Sequence, residues 1–168
     1  MNPSLVLDST ILKLLEEERA YIESRYNLPK NSSVSSLSLF NELDDTVDIP
    51  NALQTNKIIQ IRPPLSLKSI ISYAGCNSCT NSIIYTPKSV LDWHTNSNRH
   101  GERVYISYSY GESIFRYRDR SGNIIDSYDI PNSWQVRRFT VPHDYKLWHT
   151  VACSGSRITY GFINGSHG

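Results

Sequence analysis

Two histidines, an asparagine and an arginine are the residues whose types and spacing can do chemistry. His94 sits in Leu91-Asp92-Trp93-His94-Thr95-Asn96-Ser97-Asn98, and His149 in Leu147-Trp148-His149-Thr150-Val151. Beyond a Ser154-Gly155-Ser156 turn comes Arg157-Ile158-Thr159-Tyr160-Gly161-Phe162. Side chains alternate along a strand, so Asp92, His94 and Asn96 are expected on one face, and Arg157 and Thr159 on another. Two imidazoles from distant strands can converge and bind a divalent metal through nitrogen. A nearby arginine can pair bidentately with a carboxylate, and the Thr159 hydroxyl can add a hydrogen bond. A metal beside such an arginine suits a small keto acid that bridges the two. Taken singly, a strand histidine is commonly structural and a late arginine is commonly a solvated charge. The order of the pieces carries the reading: histidine on a strand, about fifty residues of β-type sequence, histidine on a strand, turn, then Arg-x-Thr.

That order resembles the 2-oxoglutarate and iron(II)-dependent oxygenases, a double-stranded β-helix family that includes the prolyl hydroxylases. The likeness is closest to short prolyl-hydroxylase-like proteins of tailed phages. It spans roughly Ile83 to Phe162, about half the chain. The resemblance implies His94 and His149 as metal ligands and Asn96 at the position of the usual ligating aspartate. It implies Arg157 as the partner of the distal carboxylate of 2-oxoglutarate, with Thr159 and Tyr105 beside it. The implied cofactors are Fe(II) and 2-oxoglutarate. The implied activity is hydroxylation of a protein or small-molecule substrate. Asn96 departs from the family pattern, because a neutral amide oxygen is a weaker ligand than a carboxylate. It can ligate through its carbonyl, or leave a position for an anion as in the related halogenases, or mark a site that has lost its chemistry. Asp92 and Glu102 are the nearby carboxylates that can replace it. The alternative functions are a non-catalytic protein that keeps the fold, such as a phage structural or adaptor component, and a cupin-like binding protein. Tyr105, Tyr108, Phe115, Trp93 and Trp148 are expected either as an apolar wall to the site or as ordinary core.

The remaining motifs read as structure. Cys76-Asn-Ser-Cys79 has C-x-x-C spacing, but no second pair completes a four-ligand zinc set, so a loop with reduced thiols is expected. Glu42, Asp44, Asp45 and Asp48 lack calcium-loop spacing and read as a solvated acidic loop. Arg116, Arg118, Arg120, Arg137 and Arg138 lie beside Tyr117 and Phe139. Their mixture with Glu112, Asp119, Asp126 and Asp129 favours solvated strand faces over a nucleic-acid groove.

The elements that must position these residues are mostly strands. Short β-branched and aromatic runs are expected at Ile58–Ile61, Ser69–Tyr73, Ser82–Tyr85, Arg103–Tyr110, Ser113–Tyr117, Ile124–Tyr128, Trp134–Val141, Leu147–Cys153 and Arg157–Ile163. Turn residues separate many of them, as in Ser121-Gly122-Asn123 and Pro131-Asn132-Ser133. Before them, Ser9 to Tyr26 reads as an amphipathic helix, capped by Asp8 or Ser9 and stopped before Pro29. Asn31 to Ser38 is Ser-rich and reads as a linker. The expected fold is mainly β: a double-stranded β-helix, or jelly-roll and cupin-like, barrel with an N-terminal supporting helix. Residues 1–55 form the support and residues 56–168 the barrel, as one structural unit.

Composition sets the outer limits. The chain has 168 residues and a net charge of +1, with 20% charged residues. That is one domain, without the basic excess that nucleic-acid binding or a polybasic membrane anchor requires. Fourteen of the eighteen Phe, Trp and Tyr residues lie at or after Tyr85, in the half that carries the histidines and Arg157. No secretory signal or apolar stretch of membrane-spanning length is visible, so a cytoplasmic location is expected, host cytoplasm or virion for a phage protein. Virion or homo-oligomer contacts are the partners this allows besides substrate.

Overall fold

Side-chain alternation and a strand order that places late strands between early ones build two antiparallel sheets. A computed structural model describes residues 1–29, 35–42, 58–97 and 99–164. The acidic residues Asp44, Asp45 and Asp48, the side chain of Glu42, residues 31–34 of the Ser-rich stretch, Asn98 and the expected 55/56 boundary lie outside the description.

The strands are β1 (Ser4–Leu5), β2 (Ile58–Gln60), β3 (Ser78–Tyr85), β4 (Ser89–His94), β5 (Gly101–Ser109), β6 (Ser113–Arg118), β7 (Ile124–Tyr128), β8 (Trp134–Val141), β9 (His149–Cys153) and β10 (Arg157–Asn164). One sheet runs β1-β8-β5-β10-β3-β2 and the other β4-β9-β6-β7. From β3 to β10 successive strands change sheet except at the β6–β7 hairpin, and the late strands β8, β9 and β10 insert beside earlier ones. That is the eight-stranded jelly-roll order of two Greek keys. The strand pairings form two facing sheets, with no closed ring of hydrogen bonds among the described residues.

Alternation along β10 divides the protein into layers. Ile158, Tyr160 and Phe162 join Ile84, Val104, Ile106 and Val136 on the outer face of the larger sheet. Helix α1 (Ser9–Arg25) covers that face through Ile11, Leu15 and Ile22. Asp8 caps its start by accepting from the Ile11 backbone N–H at 3.0 Å, as the sequence predicts. Glu18 falls on the same stripe and is buried. Its carboxylate accepts from the Leu65 backbone N–H and the Tyr160 hydroxyl and pairs with Arg62. The odd-numbered residues of β10 face the second sheet, across a core of Ile83, Tyr85, Tyr105, Phe115, Phe139, Leu147 and Val151. Among the described residues no helix is long and apolar enough to cross a membrane.

Three local expectations are corrected. Ser69–Tyr73 is not a strand but part of helix α3 (Leu67–Ala74), with Gly75 closing it at φ 69. Ile70 and Ala74, four residues apart, share its buried side, and this helical spacing outweighs the β-branched composition. The end of the Ser-rich stretch is not linker throughout: Ser36–Leu39 forms helix α2. Ser35 caps it, and Ser36 anchors it by donating to the Glu112 carbonyl at 2.9 Å. The C-x-x-C motif is not a loop throughout: Cys76 follows α3 while Cys79 lies within β3, and both thiols are free.

Candidate functional site

Four strands of the larger sheet and three of the smaller one enclose a cavity of about 220 Å3. His94, Asn96, Tyr105, His149, Arg157 and Thr159 all line it. The structure thus brings together all six residues singled out in the sequence. Asn81, Ile83, Tyr85, Phe115 and Val151 complete much of the wall.

His94 ends β4 and lies opposite His149, the first residue of β9. Their ring centroids are 4.1 Å apart. His94 Nδ1 lies 2.7 Å from the Asp92 carbonyl, and His149 Nδ1 lies 2.9 Å from the Leu147 carbonyl. A carbonyl oxygen only accepts, so in each neutral ring Nδ1 carries the proton and Nε2 keeps a lone pair. This backbone anchoring is the outer-shell arrangement that orients a metal-binding imidazole. Burial drives both rings toward neutrality, His94 down to about 4 and His149 well below its ordinary value. The charge of Arg103 adds to the effect at both.

The route of Asn96 into the cavity differs from the expected alternation. Leu91 pairs with Val151 and His94 with His149, so β4 spends three residues where β9 spends two. This bulge removes Asp92 from the face shared with His94. Asp92 instead bonds the Trp93 backbone N–H through its own carboxylate. Asn96 follows the strand and holds φ 53, a left-handed conformation that asparagine tolerates better than most residues. Its Nδ2 donates to His149 Nε2 at 3.1 Å. Glu102 is also not a substitute ligand: it is exposed on β5, 3.8 Å from Arg138, and does not line the cavity.

Arg157 defines the other part of the site. It is 1% exposed. Its Nε donates to Asp129 Oδ2 at 2.7 Å and its Nη1 to Thr159 Oγ1 at 2.6 Å. Its Nη2 is buried and, among the described residues, has no hydrogen-bond partner. Asp129 is shared: Oδ1 accepts from Arg137 Nη1 at 2.9 Å, and Oδ2 also accepts from Ser109 at 2.6 Å. Burial pushes the Asp129 carboxyl up, but Arg157 and Arg137 outweigh it and hold it well below the usual carboxylate range. Asp129, Arg137, Asn81 and Tyr85 are site or supporting residues that sequence reasoning missed. The weak available signal was inward parity, since Tyr85 pairs with Arg157 and Asn81 with Gly161.

The aromatic wall is narrower than expected. Tyr105 and Phe115 line the cavity. Tyr108 belongs to the outer core beneath α1, where it meets Trp134. Trp93 is buried with Arg118 over its ring, and Trp148 precedes β9 without lining the cavity. The basic residues are largely paired, Arg116 with Asp126, Arg120 with Asp144 and Arg137 with Asp129. Arg137 is buried rather than solvated.

Donor chemistry decides what such a cavity can hold. Among the described residues no three His, Cys, Asp or Glu side chains gather as a metal-binding group. The available set is two imidazole Nε2 atoms and the Asn96 amide, whose oxygen and nitrogen exchange places on a half-turn of the side chain. That set fits a divalent transition metal with one charge fewer than a carboxylate would give. The unpartnered Arg157 Nη2 fits a carboxylate oxygen.

No protein-family model matches the sequence, and no curated protein matches it. Solved structures similar to it include Peruvianin-I, a cysteine peptidase from Thevetia peruviana latex. That match has 16% identity over 51% of this chain and 48% of the other, with a TM-score of 0.38. Recombinant oxalate oxidase in complex with glycolate is similar at 11% identity over 82% of this chain and 64% of the other, with a TM-score of 0.40. The chain spans less than two thirds of the length of these structures. The strand order itself defines the class, a cupin-like jelly roll with a polar cavity between its sheets.

Proposed function

We propose that this chain is an Fe(II)- and 2-oxoglutarate-dependent dioxygenase that hydroxylates a protein or small-molecule substrate. One observation carries the reading. The buried, unpartnered Nη2 of Arg157 belongs to a guanidinium that lines the same cavity as two backbone-anchored imidazoles. His94, His149 and the Asn96 oxygen would hold the metal. Arg157 and Thr159 would receive the distal carboxylate of 2-oxoglutarate, beside Tyr85 and Tyr105. When bound, iron supplies activation of dioxygen. The overall change is R–H plus O2 plus 2-oxoglutarate giving R–OH, succinate and carbon dioxide. The chain's own part is to orient the acid, keep both imidazoles unprotonated and exclude water with Phe115, Val151 and Ile83. Purified protein given ferrous iron and 2-oxoglutarate should release succinate, and His94→Ala should reduce release to the level of iron alone. Equal release by the two proteins overturns the reading.

A second reading, a non-catalytic protein that keeps the fold, is favoured by one contact. The Asn96 amide already satisfies His149 Nε2, so the site is closed by its own side chains. That reading expects no iron, manganese or nickel retained in dependence on His94 and His149.

A further inference from the structure

A second cavity lies on the far side of β10 from Arg157, where α1 and the chain leaving β2 enclose about 260 Å3. Two of its lining residues are buried polar groups, Tyr160 and Glu18, at 0% and 3% exposure. The Tyr160 hydroxyl donates to Glu18 Oε2 at 3.2 Å, and Arg62 Nη1 lies 3.3 Å from the same oxygen. Arg62 Nη1 also donates to the Pro63 carbonyl at 2.7 Å. Arg62 Nη2 is buried and, among the described residues, has no hydrogen-bond partner. A buried donor without an acceptor is costly, so this N–H needs one. Tyr21 covers it, with the Arg62 guanidinium carbon 4.1 Å from its ring centroid. The guanidinium pulls the Tyr21 hydroxyl below its ordinary value, but that hydroxyl is not placed to accept from Nη2. Tyr21 is only half-buried, and surface side chains change rotamer readily, so the ring can swing aside for an entering acceptor.

Charge and shape narrow the ligand. Arg62 and Glu18 cancel each other. Arg25, exposed in the last turn of α1, also lines the cavity, and among the described residues no carboxylate pairs with it. The lining therefore carries one net positive charge. A cation is repelled, and a neutral molecule leaves that charge unmatched. A monoanion matches it, and a carboxylate fits the donor fork of a guanidinium. Tyr26 and Ile61 supply apolar wall. The volume is just under the ~300 Å3 at which drug-sized pockets begin, so it suits a ligand with one ring. We propose that this cavity binds a small aromatic monocarboxylate, its acid group between Arg62 Nη2 and Arg25 and its ring against Tyr26 and Ile61. The site is separate from the cavity between the sheets and does not depend on the dioxygenase reading.

Para-fluorobenzoate is the probe, followed by its fluorine NMR line width as protein is added. It should bind roughly tenfold tighter than para-fluorobenzyl alcohol or para-fluorobenzylamine, which keep the ring and lose the acid. Arg62→Lys keeps a charge beside Glu18 but has no Nη2, and should weaken the acid by roughly tenfold. Arg25→Gln, at an exposed residue that leaves the fold undisturbed, should weaken it by roughly threefold. Arg120→Gln, which removes an exposed arginine paired with Asp144, should leave it unchanged. Excess 2-oxoglutarate should not displace the probe. No line broadening at millimolar acid, equal affinity for acid and alcohol, or displacement by 2-oxoglutarate overturns the proposal. So does wild-type affinity in Arg62→Lys or, where that variant fails to fold, in Arg25→Gln.

Discussion

His94 and His149 are chemically useful because the fold keeps them neutral, and that neutrality has a thermodynamic consequence. Burial lowers His94 to about 4 and holds His149 well below its ordinary value, against about 6.5 for an exposed imidazole. Between those values the unfolded chain binds protons that the folded chain refuses, so stability falls as pH drops below about 6.5. Each imidazole contributes a slope of about 1.4 kcal/mol per pH unit, and the slope from His94 ends near pH 4 where the folded ring protonates. Urea unfolding in a chelating buffer between pH 7.5 and 4.5 should show this loss, and His94→Gln should reduce the slope by about one imidazole's share. A flat profile would contradict the neutral, buried pair. At this scale the sequence was informative where residue type and strand parity sufficed, as for His94, His149, Arg157 and Thr159. It read Asp129 and Arg137 as solvated charges, which they are not, and was silent about Arg103. Their roles depend on partners brought close by the sheet, with Asp129 and Arg157 lying twenty-eight residues apart.

Register between elements decides how much room the cavity has. Gly161 on β10 pairs with Tyr105 on β5 and Asn81 on β3. A Cβ built there meets Tyr105 Cε1 at 3.1 Å and Asn81 Cβ at 3.2 Å. The glycine is therefore the space into which the Tyr105 ring leans. Gly161→Ala should push that ring toward the cavity, destabilise the fold by roughly 1–3 kcal/mol as overpacking does, and weaken 2-oxoglutarate binding. Denaturant midpoints and calorimetry check the two effects, and a variant unchanged in both would refute this role for Gly161. The same scale explains the misplaced elements. The bulge in β4 depends on its pairing with β9 and has no mark in Leu91-Asp92-Trp93, so strict alternation put Asp92 in the wrong place. The Ile70-Ile71 pair suits a strand by composition, whereas the helix is decided by what Ile70 and Ala74 pack against.

One sheet carries two jobs for the whole molecule. Along β10 the even residues Ile158, Tyr160 and Phe162 receive α1, while Arg157 and Thr159 between them build the cavity. The jelly-roll class was legible because short strands, turn residues and the late position of His149 and Arg157 agree on one architecture. The position of α1 was legible only as a sticky stripe, and burial of Glu18 within that stripe depends on Arg62, Leu65 and Tyr160, which lie far along the chain. Helix and sheet share a single apolar cluster, so they should unfold together. Leu15 is wholly buried in that cluster. Leu15→Ala should cost about 2–5 kcal/mol and shift one cooperative transition, reported at the same midpoint by far-ultraviolet circular dichroism and by tryptophan fluorescence, since Trp134 lies in the shared core. A helical signal lost at lower denaturant than the tryptophan signal would mean that α1 is a separable attachment. The outer face of β10 would then be independent of the inner face that holds Arg157.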